Sequence, residues 1–152
     1  MRRVAILGGG PAGAFAAERL ASAGLAVQLF DEKLAWEKPC GGGLTYKAYG
    51  QYPFLIDNAT PKRFVTETVL AAPKVGEVKL KLSDPLVIYS RLDLNRLLLE
   101  RAGRAGAQIE KTHVSEATWH GSSWRVRTTA GVADADFCIV ATGARNLLRN
   151  VG

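Results

Sequence analysis

Residues 3–13 read Arg3-Val-Ala-Ile-Leu-Gly-Gly-Gly-Pro-Ala-Gly13, and this stretch decides the fold. A short apolar run that ends in glycine is typical of a buried parallel strand. Pro11 falls in the first turn of a helix that the residues up to Ala23 predict, and Gly24 ends it. Residues 26–30 then predict a second strand. Strand, helix and strand within about 30 residues indicate a right-handed βαβ unit.

Three glycines of this stretch, Gly8, Gly10 and Gly13, satisfy the pattern G-x-G-x-x-G between a strand and a helix. The first allows a tight turn, the second lets the backbone approach a pyrophosphate, and the third lets helix and strand pack closely. The start of the helix adds free N–H groups and a partial positive charge. We therefore predict dinucleotide binding at residues 8–13, with Pro11 and Ala12 in the same loop.

Two acidic residues end the second predicted strand. Asp31 falls 18 residues after Gly13, where a carboxylate can accept hydrogen bonds from a ribose hydroxyl. Glu32 follows it directly. We count both among the predicted cofactor-binding residues.

The middle of the chain departs from an NAD-binding domain, which continues with a third parallel strand and helix soon after the acidic residue. Residues 34–45 instead predict a loop, 46–60 a short helix or an irregular covering segment, and 63–90 a β-meander with strands near 63–70, 78–82 and 86–89. An amphipathic helix over 92–105 comes only then. We interpret this interruption as a flavin-type domain.

The last third of the chain predicts further strands. Residues 108–114 and 137–141 have strand patterns, and turns are expected at residues 121–123 and at Gly131. The apolar run 137–141 indicates a buried strand that leads into Thr142 and Gly143.

Composition limits the other function classes. The net charge of +6 comes from scattered Lys and Arg residues, and no motif for nucleic-acid binding accompanies it. Cys40 and Cys138 lie far apart without a CxxC pattern, so we expect neither a zinc site nor a disulfide. The chain contains no apolar run of membrane-spanning length, and Gly8 interrupts the first apolar run too early for an export signal. We expect a cytoplasmic protein.

Three stretches carry a family resemblance. Glu37–Thr45 resembles the Lys-x-Cys-Gly-Gly-Gly segment of geranylgeranyl reductases, which belong to the FAD-dependent oxidoreductases built like p-hydroxybenzoate hydroxylase. Tyr89–Leu98 resembles their Arg-led helix, and Ala141–Arg149 is similar to their Ala-Asp-Gly…Ser-x-x-Arg motif, with Thr142 where that motif usually has Asp. The resemblance implies an α/β fold: a Rossmann-like FAD-binding domain with a parallel sheet, inserted β-strands and a β-meander.

The resemblance also implies roles for individual residues. Ala12 and its neighbours would hold the FAD pyrophosphate, Asp31 the adenosine ribose, and Val114 the adenine through its backbone. Arg91 would pair with the pyrophosphate or the ribityl chain, a role that suits its fork of donors. The remaining implied cofactor-binding residues lie near the isoalloxazine or in the glycine-containing turn after the last strand; they are Cys40, Gly41 and Gly43, and Ala141, Thr142 and Gly143.

Family members are about twice this length or more, and their second flavin motif, a Gly-Asp pair, does not occur in these 152 residues. We therefore expect residues 1–152 to be an incomplete, N-terminal FAD-binding domain. Residues 60–90 would then be an excursion of strands toward a substrate domain that follows later in the family.

The resemblance implies an FAD-dependent oxidoreductase that reduces carbon–carbon double bonds of prenyl chains, with NADPH or a ferredoxin-like protein as reductant. Its partners would be a small-molecule or prenyl-lipid substrate, and the lipid would bring it to a membrane surface. One alternative is a flavin monooxygenase of the aromatic-hydroxylase type, and another is a non-catalytic dinucleotide-binding fragment. No metal is expected. Cys40 is the candidate for a reactive residue beside the flavin.

Other polar and sulfur-containing residues have structural interpretations. We expect Cys138 in the core and His113 and His120 at the surface or at strand edges. Ser90 and Asp93 are expected to cap the helix that begins near Arg91.

Overall fold

A computed structural model describes residues 1–39 and 42–144, and these residues contain ten strands and four helices. The strands are β1 (Arg3–Leu7), β2 (Ala26–Asp31), β3 (Gly43–Leu44), β4 (Lys62–Ala72), β5 (Gly76–Tyr89), β6 (Gln108–Lys111), β7 (Val114–Trp119), β8 (Trp124–Thr128), β9 (Gly131–Ala135) and β10 (Phe137–Val140). The helices are α1 (Pro11–Ser22), α2 (Tyr46–Gln51), α3 (Pro53–Ile56) and α4 (Arg91–Arg104). The described residues form two compact units: residues 1–36 with 95–144, and residues 37–39 with 42–94.

The first unit is built on a four-stranded parallel sheet in the order β10-β1-β2-β6. Its central strand β1 pairs with β2 from Arg3 beside Ala26 to Leu7 beside Phe30, and with β10 on its other side. Because all four strands run the same way, their carboxyl ends share one edge of the sheet. The predicted βαβ unit and the predicted α/β class are confirmed.

Both faces of β1 are buried. Alternation along the strand places Val4 and Ile6 on one face and Ala5 and Leu7 on the other, and α1 packs against β1 and β2. Ala5 and Leu7 belong to a core cluster shared with the antiparallel sheet β7-β8-β9. The other buried members of that cluster are Phe30, Val114, Ala117, Val126 and Ala135.

Two predictions that bear on this unit were wrong: the extent of one strand and the place of the β-meander. The single strand expected over 108–114 is two strands, because β6 ends at Lys111 and Val114 already begins β7. The Thr112 N–H donates to the Asp31 carbonyl at 3.0 Å, which ends the pairing of β6 with β2, and the next residues turn into a different sheet. The β-meander expected over 63–90 lies instead over 114–135.

The second unit contains the sheet β3-β5-β4, in which β4 and β5 form one long antiparallel hairpin. The two strands predicted at 78–82 and 86–89 are therefore one strand, β5. Pro85 does not break it because the pairing shifts register there: Val65 pairs with Leu86, whereas Glu67 pairs with Lys81. A proline is tolerated where its missing N–H is not part of the ladder.

Side-chain hydrogen bonds join the short helices of this unit to the hairpin. The Tyr89 hydroxyl, which is buried, donates to the Leu55 carbonyl at 2.6 Å. Asn58 Nδ2 donates to the carbonyls of Phe54 and Leu55 at 2.9 and 2.7 Å. These bonds tie the end of α3 to the base of the hairpin.

Helix α4 differs from its prediction in the position of its buried stripe. Its buried residues are Leu94, Asn95, Leu98, Leu99 and Ala102, whereas Leu97, which we placed on the apolar face, is only half-buried. None of the helices in the described ranges is long and apolar enough to cross a membrane.

Truncation of a core side chain in the meander tests this packing. Val126→Ala is expected to lower the free energy of unfolding by about 1–3 kcal/mol, because Val126 is 0% exposed and its removal leaves a cavity. Val132→Ala, on the neighbouring strand and 56% exposed, is the matched control and should change stability by less than about 0.5 kcal/mol. Urea denaturation measures both. Equal losses would show that Val126 is not a core residue.

Cys138 packs, as expected, against the core cluster that β1 shares with the sheet β7-β8-β9. Burial raises the pKa of its thiol to about 11. Folding therefore favours the protonated thiol. The free energy of unfolding is unaffected at neutral pH, where the thiol is protonated in both states, and falls as the pH rises toward about 11. In a Cys40→Ser background, alkylation of Cys138 by iodoacetamide at pH 8 should be much slower in the native protein than in urea. Similar rates in both states would contradict this burial.

Candidate nucleotide-binding site

The turn between β1 and α1 has room for glycine alone at two of its positions. Gly8 has a φ of +107°, and a Cβ atom there would lie 2.5 Å from the Ala141 carbonyl oxygen. A Cβ atom on Gly13 would lie 1.9 Å from the Gly8 carbonyl oxygen. Gly10 differs from both, because a Cβ atom there would meet no atom of the described chain within 4 Å. Gly10 therefore borders open space at the end of the helix.

The beginning of α1 offers hydrogen-bond donors. Gly10 is its N-cap, and among the described residues no side chain caps the helix and no acidic residue occupies its first turn. The first intrahelical bond runs from Ala14 N–H to the Gly10 carbonyl at 2.9 Å. The earlier N–H groups have no partner within the helix, and the helix dipole adds about half a positive charge. This end of α1 suits an anionic group such as a diphosphate.

The carboxylate of Asp31 holds the loop from one side. Its Oδ2 accepts the Gly9 N–H at 2.7 Å, and its Oδ1 accepts the N–H groups of Lys33 and Leu34 at 2.8 and 2.6 Å. A Cβ atom on Gly9 would lie 3.0 Å from the Asp31 Cβ. Asp31 thus fixes the backbone of the glycine loop and of the turn that follows β2. Its contact with a ribose stays a prediction.

A cavity of about 150 Å³ opens at the carboxyl edge of the parallel sheet. Its lining residues come from the ends of all four strands and the turns after them; they are Leu7, Gly8, Phe30, Asp31, Glu32, Thr112, His113, Val114 and Thr142. Glu32 and His113 lie at the rim, each about half exposed, and their side chains are 3.0 Å apart. The structure thus brings Gly8, Asp31, Glu32, Val114 and Thr142 together.

The segment after β10 runs beside the glycine loop. The Ala141 N–H donates to the Leu7 carbonyl at 2.8 Å, which continues the pairing of β10 with β1. Gly143 has a φ of +71°, so the chain turns there in a conformation that favours glycine. Arg145–Arg149, the end of the motif that supports the resemblance, lie outside the described residues.

The predicted residues Gly43 and Arg91 belong to the second unit. Gly43 pairs with Ile88 in β3, and its neighbour Gly42 has a φ of +58° with the Tyr89 carbonyl oxygen 2.0 Å from where a Cβ would lie. Cys40 and Gly41 lie outside the described residues. The cofactor contacts expected of these four residues therefore stay predictions.

Glu37 organises the start of α4. Its carboxylate accepts hydrogen bonds from the Ser90 hydroxyl at 2.6 Å and from the N–H groups of Arg91 and Leu92 at 3.0 and 3.2 Å. The Ser90 hydroxyl, followed by these amides, lowers the pKa of Glu37. Ser90 in turn accepts the Asp93 N–H, so its predicted capping role is confirmed. The carboxylate of Glu37 already takes the place that an external anion would occupy at this helix end.

Sequence reasoning missed three residues of these sites: Glu37, Asn95 and the rim position of His113. Asn95 is 5% exposed, and its Nδ2 donates to the Gly9 carbonyl at 2.8 Å. A signal for Asn95 was available, because it precedes Leu98, Leu99 and Ala102 at the spacing of a buried helix face. The partners of Glu37 and His113 are distant in sequence, so no local pattern marks them.

A glycine turn between a parallel strand and an uncapped helix, with a cavity at the same edge, defines a Rossmann-type dinucleotide-binding fold. Residues 2–151 match the family of pyridine nucleotide-disulphide oxidoreductases, and the chain belongs to that family.

Known proteins support the same assignment. The chloroplastic geranylgeranyl diphosphate reductase of Arabidopsis thaliana is 30% identical over 149 residues, which cover 96% of this chain and 32% of that protein. A geranylgeranyl bacteriochlorophyll reductase-like protein of Thermoplasma acidophilum superposes with a TM-score of 0.71 at 21% identity, over 93% of this chain and 39% of the other. Halogenase PltM, solved with phloroglucinol and FAD, superposes with a TM-score of 0.74 at 20% identity, over 92% and 34%.

The resemblance to geranylgeranyl reductases and the FAD-dependent oxidoreductase fold are thus confirmed. The chain spans between 24% and 38% of the length of the curated relatives it matches.

Two helical glycines allow a matched test of the close packing. Gly13→Ala should lower the free energy of unfolding by at least about 2 kcal/mol, because its Cβ would collide with a backbone oxygen that has little room to move. Gly103→Ala, in α4 with its nearest neighbour atom at 3.8 Å, should stabilise by up to about 1 kcal/mol. Thermal or urea denaturation of both variants decides the matter. A neutral Gly13→Ala variant would contradict the contact between α1 and β1.

Proposed function

We propose that this chain binds FAD and forms the FAD-binding part of a reductase that acts on carbon–carbon double bonds of prenyl chains. The observation that carries the proposal is the uncapped start of α1, where Gly10 borders open space directly after a parallel strand. Membership of the oxidoreductase family supports it.

The residues of the first unit fit the adenosine diphosphate half of FAD. The N–H groups of Gly10, Ala12 and Gly13 would donate to the diphosphate, and Pro11, which has no N–H, sets the direction of the first helical turn. Adenosine would enter the cavity at the carboxyl edge, with the adenine beside the Val114 backbone and the ribose hydroxyls beside Glu32 or Asp31. Bound FAD, once reduced, would supply the hydride that reduction of a carbon–carbon double bond requires.

The substrate class follows from the similarity to geranylgeranyl diphosphate reductases. We propose a prenyl chain as the group that is reduced and NADPH as the source of the two electrons that restore the reduced flavin. A substrate of this kind would bring the protein into contact with a membrane surface.

Flavin titration of the purified 152-residue chain tests the proposal. We expect FAD to bind with quenching of flavin fluorescence, and Gly10→Val to weaken the affinity by at least about tenfold, because the side chain would occupy the diphosphate position. Gly50→Val, at another glycine whose Cβ would meet no atom within 4 Å of it, is the control and should bind like the wild type. A folded Gly10→Val variant with unchanged affinity would overturn the site.

The same preparation separates the alternatives left by the sequence. Oxygen consumption coupled to NADPH oxidation would indicate a flavin monooxygenase instead of a prenyl reductase. A folded chain that does not bind FAD at any concentration tested would overturn the proposed function as a whole.

A further inference from the structure

Two successive peptide groups of the glycine loop are held from opposite directions. The Gly9 N–H donates to Asp31 Oδ2 at 2.7 Å, which fixes the peptide between Gly8 and Gly9. The Gly9 carbonyl accepts from Asn95 Nδ2 at 2.8 Å, which fixes the peptide between Gly9 and Gly10. Neither peptide can rotate without the loss of a hydrogen bond.

The second of these bonds determines where the Gly10 N–H points. A trans peptide group is planar, so its N–H and its C=O point in opposite directions. Because the Gly9 carbonyl points toward Asn95, the Gly10 N–H points away from it. Gly10 is the N-cap of α1 and borders open space, so this N–H is one of the donors at the proposed diphosphate position.

Asn95 is an unusual residue for its position. It is 5% exposed and shares the buried stripe of α4 with Leu98, Leu99 and Ala102. Its Nδ2 also lies 3.5 Å from the Leu34 carbonyl. The carbonyls of Gly9 and Leu34 therefore both favour the orientation in which the NH₂ end of the Asn95 side chain faces them. Its Oδ1 is buried without a hydrogen-bond partner among the described residues, which costs free energy. An aliphatic side chain would avoid that cost but could not donate to Gly9.

We propose that Asn95 is a positioning residue of the nucleotide site: it holds the Gly9 carbonyl so that the Gly10 N–H faces the diphosphate, without touching the ligand itself. The inference rests on the proposed function, because it assumes that an adenine dinucleotide occupies the start of α1. The inference gives α4 a role in the nucleotide site, although Asn95 follows Gly9 by 86 positions in the sequence.

Two substitutions test the role, with ADP as the probe. Asn95→Asp removes the donor when its carboxyl is ionised, since a carboxylate only accepts hydrogen bonds. A protonated carboxyl donates again, and burial beside the Gly9 and Leu34 carbonyls favours the protonated form. We expect ADP to bind about tenfold more weakly than to the wild type at pH 8.5, and within about twofold of the wild type at pH 5.5. Asn95→Ala has no donor at any pH and should be about tenfold weaker at both pH values. Calorimetric titration measures the affinities.

A matched substitution elsewhere separates positioning from general stability. Asn58→Asp loses the same kind of bond, from an Asn Nδ2 to backbone carbonyls, in the other unit of the chain. It should lower the free energy of unfolding in urea and leave the ADP affinity unchanged.

Asn95 variants that are folded and bind ADP like the wild type at both pH values would overturn the inference and leave the proposed function intact. A folded Asn95→Ala variant that binds ADP like the wild type would overturn it as well, because that variant has no donor at any pH. A wild-type chain that binds neither ADP nor FAD would overturn both the inference and the proposed function.

Discussion

The contact between Gly13 of α1 and the carbonyl oxygen of Gly8 sets the geometry of the first unit. With only 1.9 Å between that oxygen and the place of a Cβ, the helix can start directly above the end of β1 only if Gly13 has no side chain. This close approach puts the first turn of α1 at the carboxyl edge of the sheet. The turns after β2, β6 and β10 reach the same edge, because the strands are parallel. The cavity and the helix end therefore lie side by side in one unit.

The glycine loop also depends on polar side chains that hold its peptides. Asp31 and Asn95 bond to the N–H and the carbonyl of Gly9, and both belong to the same unit as the loop. Glycine-rich backbone has many accessible conformations, so an unrestrained loop would lose entropy when it binds a ligand. Because these two hydrogen bonds order the loop when the protein folds, little further conformational entropy is lost when a ligand binds. A preorganised arrangement of donors is what an anion site at a helix end requires.

Much of this arrangement could be predicted from the sequence. The β1–α1–β2 unit and α4 fall within one or two residues of their expected positions, because glycine, proline and the spacing of apolar residues mark them locally. The ends of β6 and β5 could not be predicted. The break after Lys111 depends on where β2 ends in space, and the continuity of β5 through Pro85 depends on a register shift in its partner strand. The burial of Asn95 could have been predicted from its helical spacing, but its bond to Gly9 could not, because that loop is distant in the sequence.

The central claim is that the N–H groups at the start of α1 receive the diphosphate of an adenine dinucleotide. Amide chemical shifts of the ¹⁵N-labelled chain, followed by NMR during a titration with ADP, test this claim most directly. The largest shifts are expected for the amides of Gly10, Ala12 and Gly13, with smaller ones at Val114 beside the cavity. Saturable binding that leaves these three helix amides unchanged and shifts amides elsewhere would contradict the proposed site.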